Sequence, residues 1–153
     1  MLEFIAFAPD RPRPPDRATR PGARVDDAAV APRPILVVDD DPEILAMLRD
    51  FLESEGLAVR TAANGAEALD ALDDVAPALI LLDMRMPVLD GWAFAERFHE
   101  RALTYPIVVM TAAESARRWA EEIGATGYIA KPFDVDELLK TIERHRQKDS
   151  KPN

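Results

Sequence analysis

Two four-residue runs, Leu79-Ile80-Leu81-Leu82 and Ile107-Val108-Val109-Met110, are apolar at every position. A strand with one wet face alternates apolar and polar residues, so runs of this kind belong in a parallel sheet covered on both faces. Three more segments have strand length: Ile35 to Val38 and Tyr128 to Ala130, and Ala58 to Ala62, which is interrupted by Arg60 and Thr61. With Ala78 to Leu82 and Ile107 to Met110 they make five strands, and amphipathic stretches of helical length separate them.

Capping and breaking residues punctuate those stretches. Asp41-Pro42 opens the first helix with an acidic cap and a proline at the first helical position, and Gly56 ends it. Asn64-Gly65 and Asp90-Gly91 precede the second and third, Gly124 closes the fourth, and Asp134 caps the fifth. Strict alternation of five strands and five helices gives an α/β doubly wound (βα)5 three-layer sandwich of the flavodoxin-like type. Right-handed crossovers favour the order 2-1-3-4-5, which places a binding site outside the carboxyl ends of strands 1 and 3.

Those strand ends carry Asp39-Asp40-Asp41, then Asp83, Thr111 and Lys131. Asp41 reads as the helix cap, but Asp39 and Asp40 cannot both do the same work. Two carboxylates about 5 Å apart repel by roughly 3 kcal/mol at an effective dielectric near 20. Asp39, Asp40 and Asp83 therefore require cations. A hard divalent ion, Mg2+ above all, suits oxygen ligands, and Lys131 supplies a second positive charge.

Composition narrows the class. The chain has 153 residues, net charge -9 and no cysteine, which excludes disulfide scaffolds and thiolate chemistry. The negative charge argues against nucleic-acid binding, no stretch is apolar enough for a membrane span, and Glu3 without a basic flank makes the start a poor signal peptide. A cytoplasmic protein is expected. Through Arg33 the chain holds six Arg, five acids and six of its 13 prolines, whereas from Pro34 onward 13 basic residues face 23 acids. Residues 1–33 read as a disordered Pro/Arg-rich arm, either passive or a docking peptide around Pro12-Arg13-Pro14-Pro15. Residues 34–147 form the body and 148–153 a short tail too small for an output domain.

The body closely resembles the receiver domain of two-component response regulators, of the chemotaxis CheY type. The resemblance rests on Ile35 to Pro42, Leu81-Leu82-Asp83-Met84-Arg85-Met86-Pro87 with Asp90-Gly91, Val108 to Ala112, and Tyr128 to Phe133. It implies that Asp83 is the phosphoacceptor and that Asp39, Asp40, Asp83 and the Arg85 backbone carbonyl hold Mg2+. Asp40 is then the more direct ligand, with Asp39 acting through water. Lys131 neutralises the phosphoryl oxygens, Thr111 and Tyr128 form the conformational switch, and Lys131-Pro132 is a cis peptide. Arg85 and Ala113 lie where the family tunes water access, and Ala112 is small beside the phosphoryl position.

The resemblance also implies partners: a sensor histidine kinase or phosphotransfer protein, a downstream protein target, and a phosphorylation-dependent dimer through the helix 4, strand 5, helix 5 face. No nucleic acid and no membrane are expected among them. The broad apolar arc of the first helix (44, 45, 47, 48, 51 and 52) leaves Leu45 and Met47 at its margins, with Leu45 the expected kinase contact. Trp119 fits the core better than an interface, and His99 and His145 read as solvated residues remote from metal. The protein is not expected to be an enzyme beyond its own phosphorylation and dephosphorylation. Two alternatives remain. One is a haloacid-dehalogenase-type phosphatase with Asp39 as nucleophile and Asp41 as acid/base. The other is a phosphorylation-independent pseudo-receiver that only binds.

Overall fold

The structure is a computed structural model that describes residues 32–146. Residues 1–31, with the Pro12-Arg13-Pro14-Pro15 segment, and the tail 148–153 lie outside the described residues. Arg33, the last residue assigned to the arm, is fastened to the body. Its guanidinium donates to the carbonyls of Ala76 (3.1 Å) and Pro77 (2.9 Å) and lies 5.8 Å over the Tyr105 ring.

Five strands and five helices alternate among the described residues: β1 (Ile35–Val38), α1 (Pro42–Ser54), β2 (Val59–Ala62), α2 (Gly65–Ala71), β3 (Leu79–Asp83), α3 (Gly91–Glu100), β4 (Ile107–Ala112), α4 (Ala113–Ile123), β5 (Gly127–Lys131) and α5 (Val135–His145). The sheet is parallel with order β2-β1-β3-β4-β5, as the sequence implied. Strands β3 and β4 run beyond their apolar cores to include Asp83, Thr111 and Ala112. Sheet pairing continues there because hydrogen bonding to the neighbouring strand does not require an apolar side chain.

The two sheet faces bury separate cores. Leu36, Ile80, Leu82 and Val109 face α2, α3 and α4, while Ile35, Leu79, Leu81 and Val108 face α1 and α5. All twelve residues of the runs Ile35–Val38, Leu79–Leu82 and Ile107–Met110 are buried, as are Leu48 and Leu52 of α1 and Leu138 and Ile142 of α5, as two-sided coverage demands.

Capping follows the sequence for four of the five helices. Asp41, Asn64, Asp90 and Asp134 each accept a backbone N–H of the first turn at 2.8 to 2.9 Å. Asn64 works reciprocally with Glu67, whose carboxylate accepts the Ala63 N–H at 2.8 Å. Helix α4 has Ala112 at this position and no side-chain cap.

Two glycines at helix starts have a packing reason besides their turn chemistry. A Cβ on Gly65 would stand 2.7 Å from the Leu89 carbonyl oxygen, and one on Gly91 would stand 2.8 Å from the Met84 Cα. Both helices thereby close on the loop after Asp83. Gly91→Ala is expected to cost about 1–2 kcal/mol by overpacking, read as a lower urea midpoint. An unchanged midpoint would show that this approach can relax freely.

Candidate functional site

The carboxyl ends of the central strands gather the expected acids. Carboxylate oxygens of Asp39, Asp40 and Asp83 all lie within 4.8 Å of one another. Asp39 directly follows β1, Asp83 ends β3, and the two strands are neighbours in register. Convergence is therefore a product of topology: adjacent parallel strands end on the same side of the sheet.

The three acids are not equivalent. Asp39 is buried at 1% exposure, and both its oxygens are engaged. Oδ1 accepts the Asp41 N–H at 2.9 Å and Oδ2 accepts the Lys131 ammonium at 2.9 Å. Asp40 is exposed, yet one of its carboxylate oxygens stays within 4.8 Å of those of Asp39 and Asp83. Asp83 is buried and lies 3.8 Å from the Lys131 ammonium. Burial pushes its carboxyl up to about 6. Asp39 and Asp40 push in the same direction, whereas Lys131 and the Met84 N–H oppose the rise. With all three acids ionised the cluster exceeds its one ammonium by two charges, and its donors are hard oxygens, so the residues fit a hard divalent cation.

Lys131 reaches the cluster from β5, and the Lys131-Pro132 peptide is cis. Thr111 is buried near the end of β4 and pairs with Ala130, two residues past Tyr128. Paired residues of a parallel sheet share a face, so Thr111 and Tyr128 lie on the same side, next to the layer containing α4. Tyr128 is 45% exposed at the sheet edge.

Other expectations met the packing unevenly. Trp119 is a core residue at 7% exposure. Leu45 is half-buried against the α1–α5 core, while Met47 is 44% exposed. Met47 lines a groove of about 490 Å³ with Ile44, Ala112, Lys131, Pro132 and Phe133. His99 is exposed, with Nε2 2.9 Å from the Ile123 carbonyl. His145 departs from a solvated side chain: it is half-buried against Gly127, where a Cβ would come within 2.6 Å of Nε2. Burial, aided by Arg144, lowers its pKa. Neither histidine joins a metal-capable cluster among the described residues. One contact had no precursor in the sequence: the Arg85 guanidinium lies 5.1 Å over the Trp119 ring.

Known proteins resemble this chain in sequence and in fold. The model of the response regulator receiver domain matches residues 35–143. The DNA-binding transcriptional regulator NtrC of Escherichia coli K12 is 39% identical over 123 residues, which span 77% of this chain and only 26% of NtrC. Among solved structures, the chemotaxis protein CheY4 of Vibrio cholerae superposes with a TM-score of 0.69 at 33% identity, covering 75% of this chain and 99% of that one. The response regulator TrrA of Thermotoga maritima, solved in complex with Mg2+-BeF, gives a TM-score of 0.65 at 31% identity over 73% and 97% of the two chains. No helix among the described residues is long and apolar enough to cross a membrane. The matched residues run from the first strand into the last helix and carry every acid of the cluster, so the chain belongs to the response regulator receiver domain family.

Proposed function

We propose that the domain accepts a phosphoryl group on Asp83 from a histidine kinase or phosphotransfer protein and relays the event through Thr111 and Tyr128. The observation that carries this reading is the convergence of Asp39, Asp40, Asp83 and Lys131 at the switch point of the sheet. Asp40, Asp83 and the Arg85 backbone carbonyl would hold Mg2+, with Asp39 acting through water because its oxygens already serve Asp41 and Lys131. Bound there, Mg2+ supplies positive charge that favours ionised Asp83 and offsets charge on the phosphoryl oxygens.

An Asp83 oxygen attacks phosphorus as the bond from phosphorus to the donor's imidazole nitrogen breaks, and that nitrogen leaves with the electron pair. Lys131, pinned by Asp39, faces the oxygens that gain charge. Thr111 then donates its hydroxyl to a phosphoryl oxygen, and Tyr128 moves inward from its exposed position. In this reading the protein transforms only itself and is not an enzyme in the usual sense. Its output is a reversible protein contact on the α4, β5 and α5 face, including a phosphorylation-dependent dimer, rather than contact with nucleic acid. Kinase docking falls to the groove beside Lys131, where exposed Met47 replaces Leu45 as the favoured contact.

Labelling with a phosphodonor and Mg2+ tests the reading. Wild type is expected to gain one phosphoryl group and Asp83→Asn none. Label that survives in Asp83→Asn but disappears in Asp39→Asn would instead select a phosphatase-like nucleophile at Asp39. A chain that folds yet stays unlabelled at saturating donor and Mg2+ would select a pure binding module. The engaged state of both Asp39 oxygens favours Asp83.

A further inference from the structure

The Arg85 side chain poses a problem that the acid cluster makes sharp. Arg85 stands two residues after Asp83, on the loop that borders three carboxylates with a single paired ammonium among the described residues. A guanidinium is the natural partner of such a cluster: it is permanently charged and its forked donors match carboxylates. Here it is directed instead to Trp119 on α4, 5.1 Å from the ring.

Trp119 is itself held in place. It is buried at 7% exposure, and its ring meets Trp92 of α3 edge-on with centroids 4.8 Å apart. The Trp92 indole N–H donates to Glu122 of α4 at 3.0 Å. The aromatic face offered to Arg85 is therefore built by two helices, and indole is the strongest of the side-chain rings for a cation.

We infer that Trp119 is a positioning residue for the metal site: by holding the Arg85 guanidinium on its ring, it keeps a competing cation out of the place between Asp39, Asp40 and Asp83 that a divalent ion needs. The inference rests on the receiver reading of that cluster. It is distinct from the role of the Arg85 backbone carbonyl, which any residue could supply. Without the indole, the guanidinium is drawn toward the acids and must be displaced whenever the metal binds.

Mg2+ titration of the 153-residue chain by calorimetry, without phosphodonor, reads this directly. Trp119→Leu, which keeps an apolar side chain but loses the ring, is expected to weaken Mg2+ binding about threefold, the scale of one exposed cation–π contact. Adding Arg85→Ala to Trp119→Leu is expected to restore wild-type affinity or better. A purely structural role for Trp119 predicts no such rescue, so persistent weakening in the double variant overturns the inference, as does unweakened binding in Trp119→Leu. Arg85→Ala alone needs no disturbance of the core and covers the case in which Trp119→Leu unfolds. It is expected to bind Mg2+ at least as tightly as wild type, and weaker binding overturns the inference. Absence of Mg2+ binding by wild type, or equal binding by Asp83→Asn and wild type, defeats the receiver reading of the cluster and the inference with it.

Discussion

Lys131→Met is expected to lose about 2–4 kcal/mol of stability at neutral pH in metal-free buffer and to slow phosphoryl transfer to Asp83 about 100- to 1,000-fold. The stability loss follows from the pair with Asp39, which is 1% exposed and accepts the ammonium at 2.9 Å. Removing one partner of a buried pair leaves an uncompensated charge, typically worth 3–5 kcal/mol, and the range is set lower because about a quarter of the lysine side chain remains in water. The rate loss follows from removing a positioned charge opposite the transferring group. Urea unfolding and acetyl phosphate labelling measure the two effects separately. Adding Asp39→Asn should return most of the stability, since the stranded charge disappears, without returning the rate. A cost below about 1 kcal/mol would mean that the ion pair is not what balances Asp39.

Asp83→Asn should have the opposite effect on stability: without metal at pH 7.5 the variant is expected to exceed wild type by roughly 2–3 kcal/mol. The Asp83 carboxyl is raised from 3.8 to about 6 in the folded protein, chiefly by burial. About two units correspond to roughly 3 kcal/mol of preference for the neutral form. The folded state binds this proton more tightly than the unfolded chain does, so the stabilising contribution is complete below pH 4. It is lost as pH rises through 6, and above that pH the fold bears an ionised, buried Asp83. The advantage of Asn should therefore fade as pH falls from 7 toward 4. His145 acts in the other sense: its lowered pKa removes stability as pH falls below 6.5, but it is common to both proteins and cancels in the difference. Saturating Mg2+ should stabilise wild type by mass action and shrink the gap. A difference curve that is flat between pH 4 and 8 would contradict the burial of Asp83.

The sequence carried most of the fold because strands and caps are local statements. Leu79 to Leu82 and Ile107 to Met110 announce two-sided burial by lacking any alternation, and Asp41, Asn64, Asp90 and Asp134 mark helix starts by chemistry within four residues. The cluster of Asp39, Asp40, Asp83 and Lys131 was also legible, because parallel order converts position at a strand end into proximity in space. What escaped were contacts fixed by side-chain reach between elements distant in sequence. Nothing in the spacing of 85 and 119 announces that guanidinium and indole meet. Periodicity placed Leu45 and Met47 at opposite margins of one apolar arc but could not say which margin the α5 side covers. Asn64-Gly65 and Asp90-Gly91 read as turns, while their second duty, admitting the loop after Asp83 at close range, depends on a backbone more than twenty residues away for Gly65.

The bare start of α4 gives the domain an uneven resistance to local opening. A missing side-chain cap forgoes about 1 kcal/mol of helix stability, and here the loss falls immediately after Thr111. The first turn of α4 is thereby a cheap place to fray, while the capped starts of the other four helices raise the cost of opening there. A rearrangement beginning at the Thr111 hydroxyl meets its softest neighbour one residue later. If the proposed Thr111 switch operates, weakness confined to this one turn is where a single new hydrogen bond would redistribute conformers, on the α4 side rather than at the four capped helix starts.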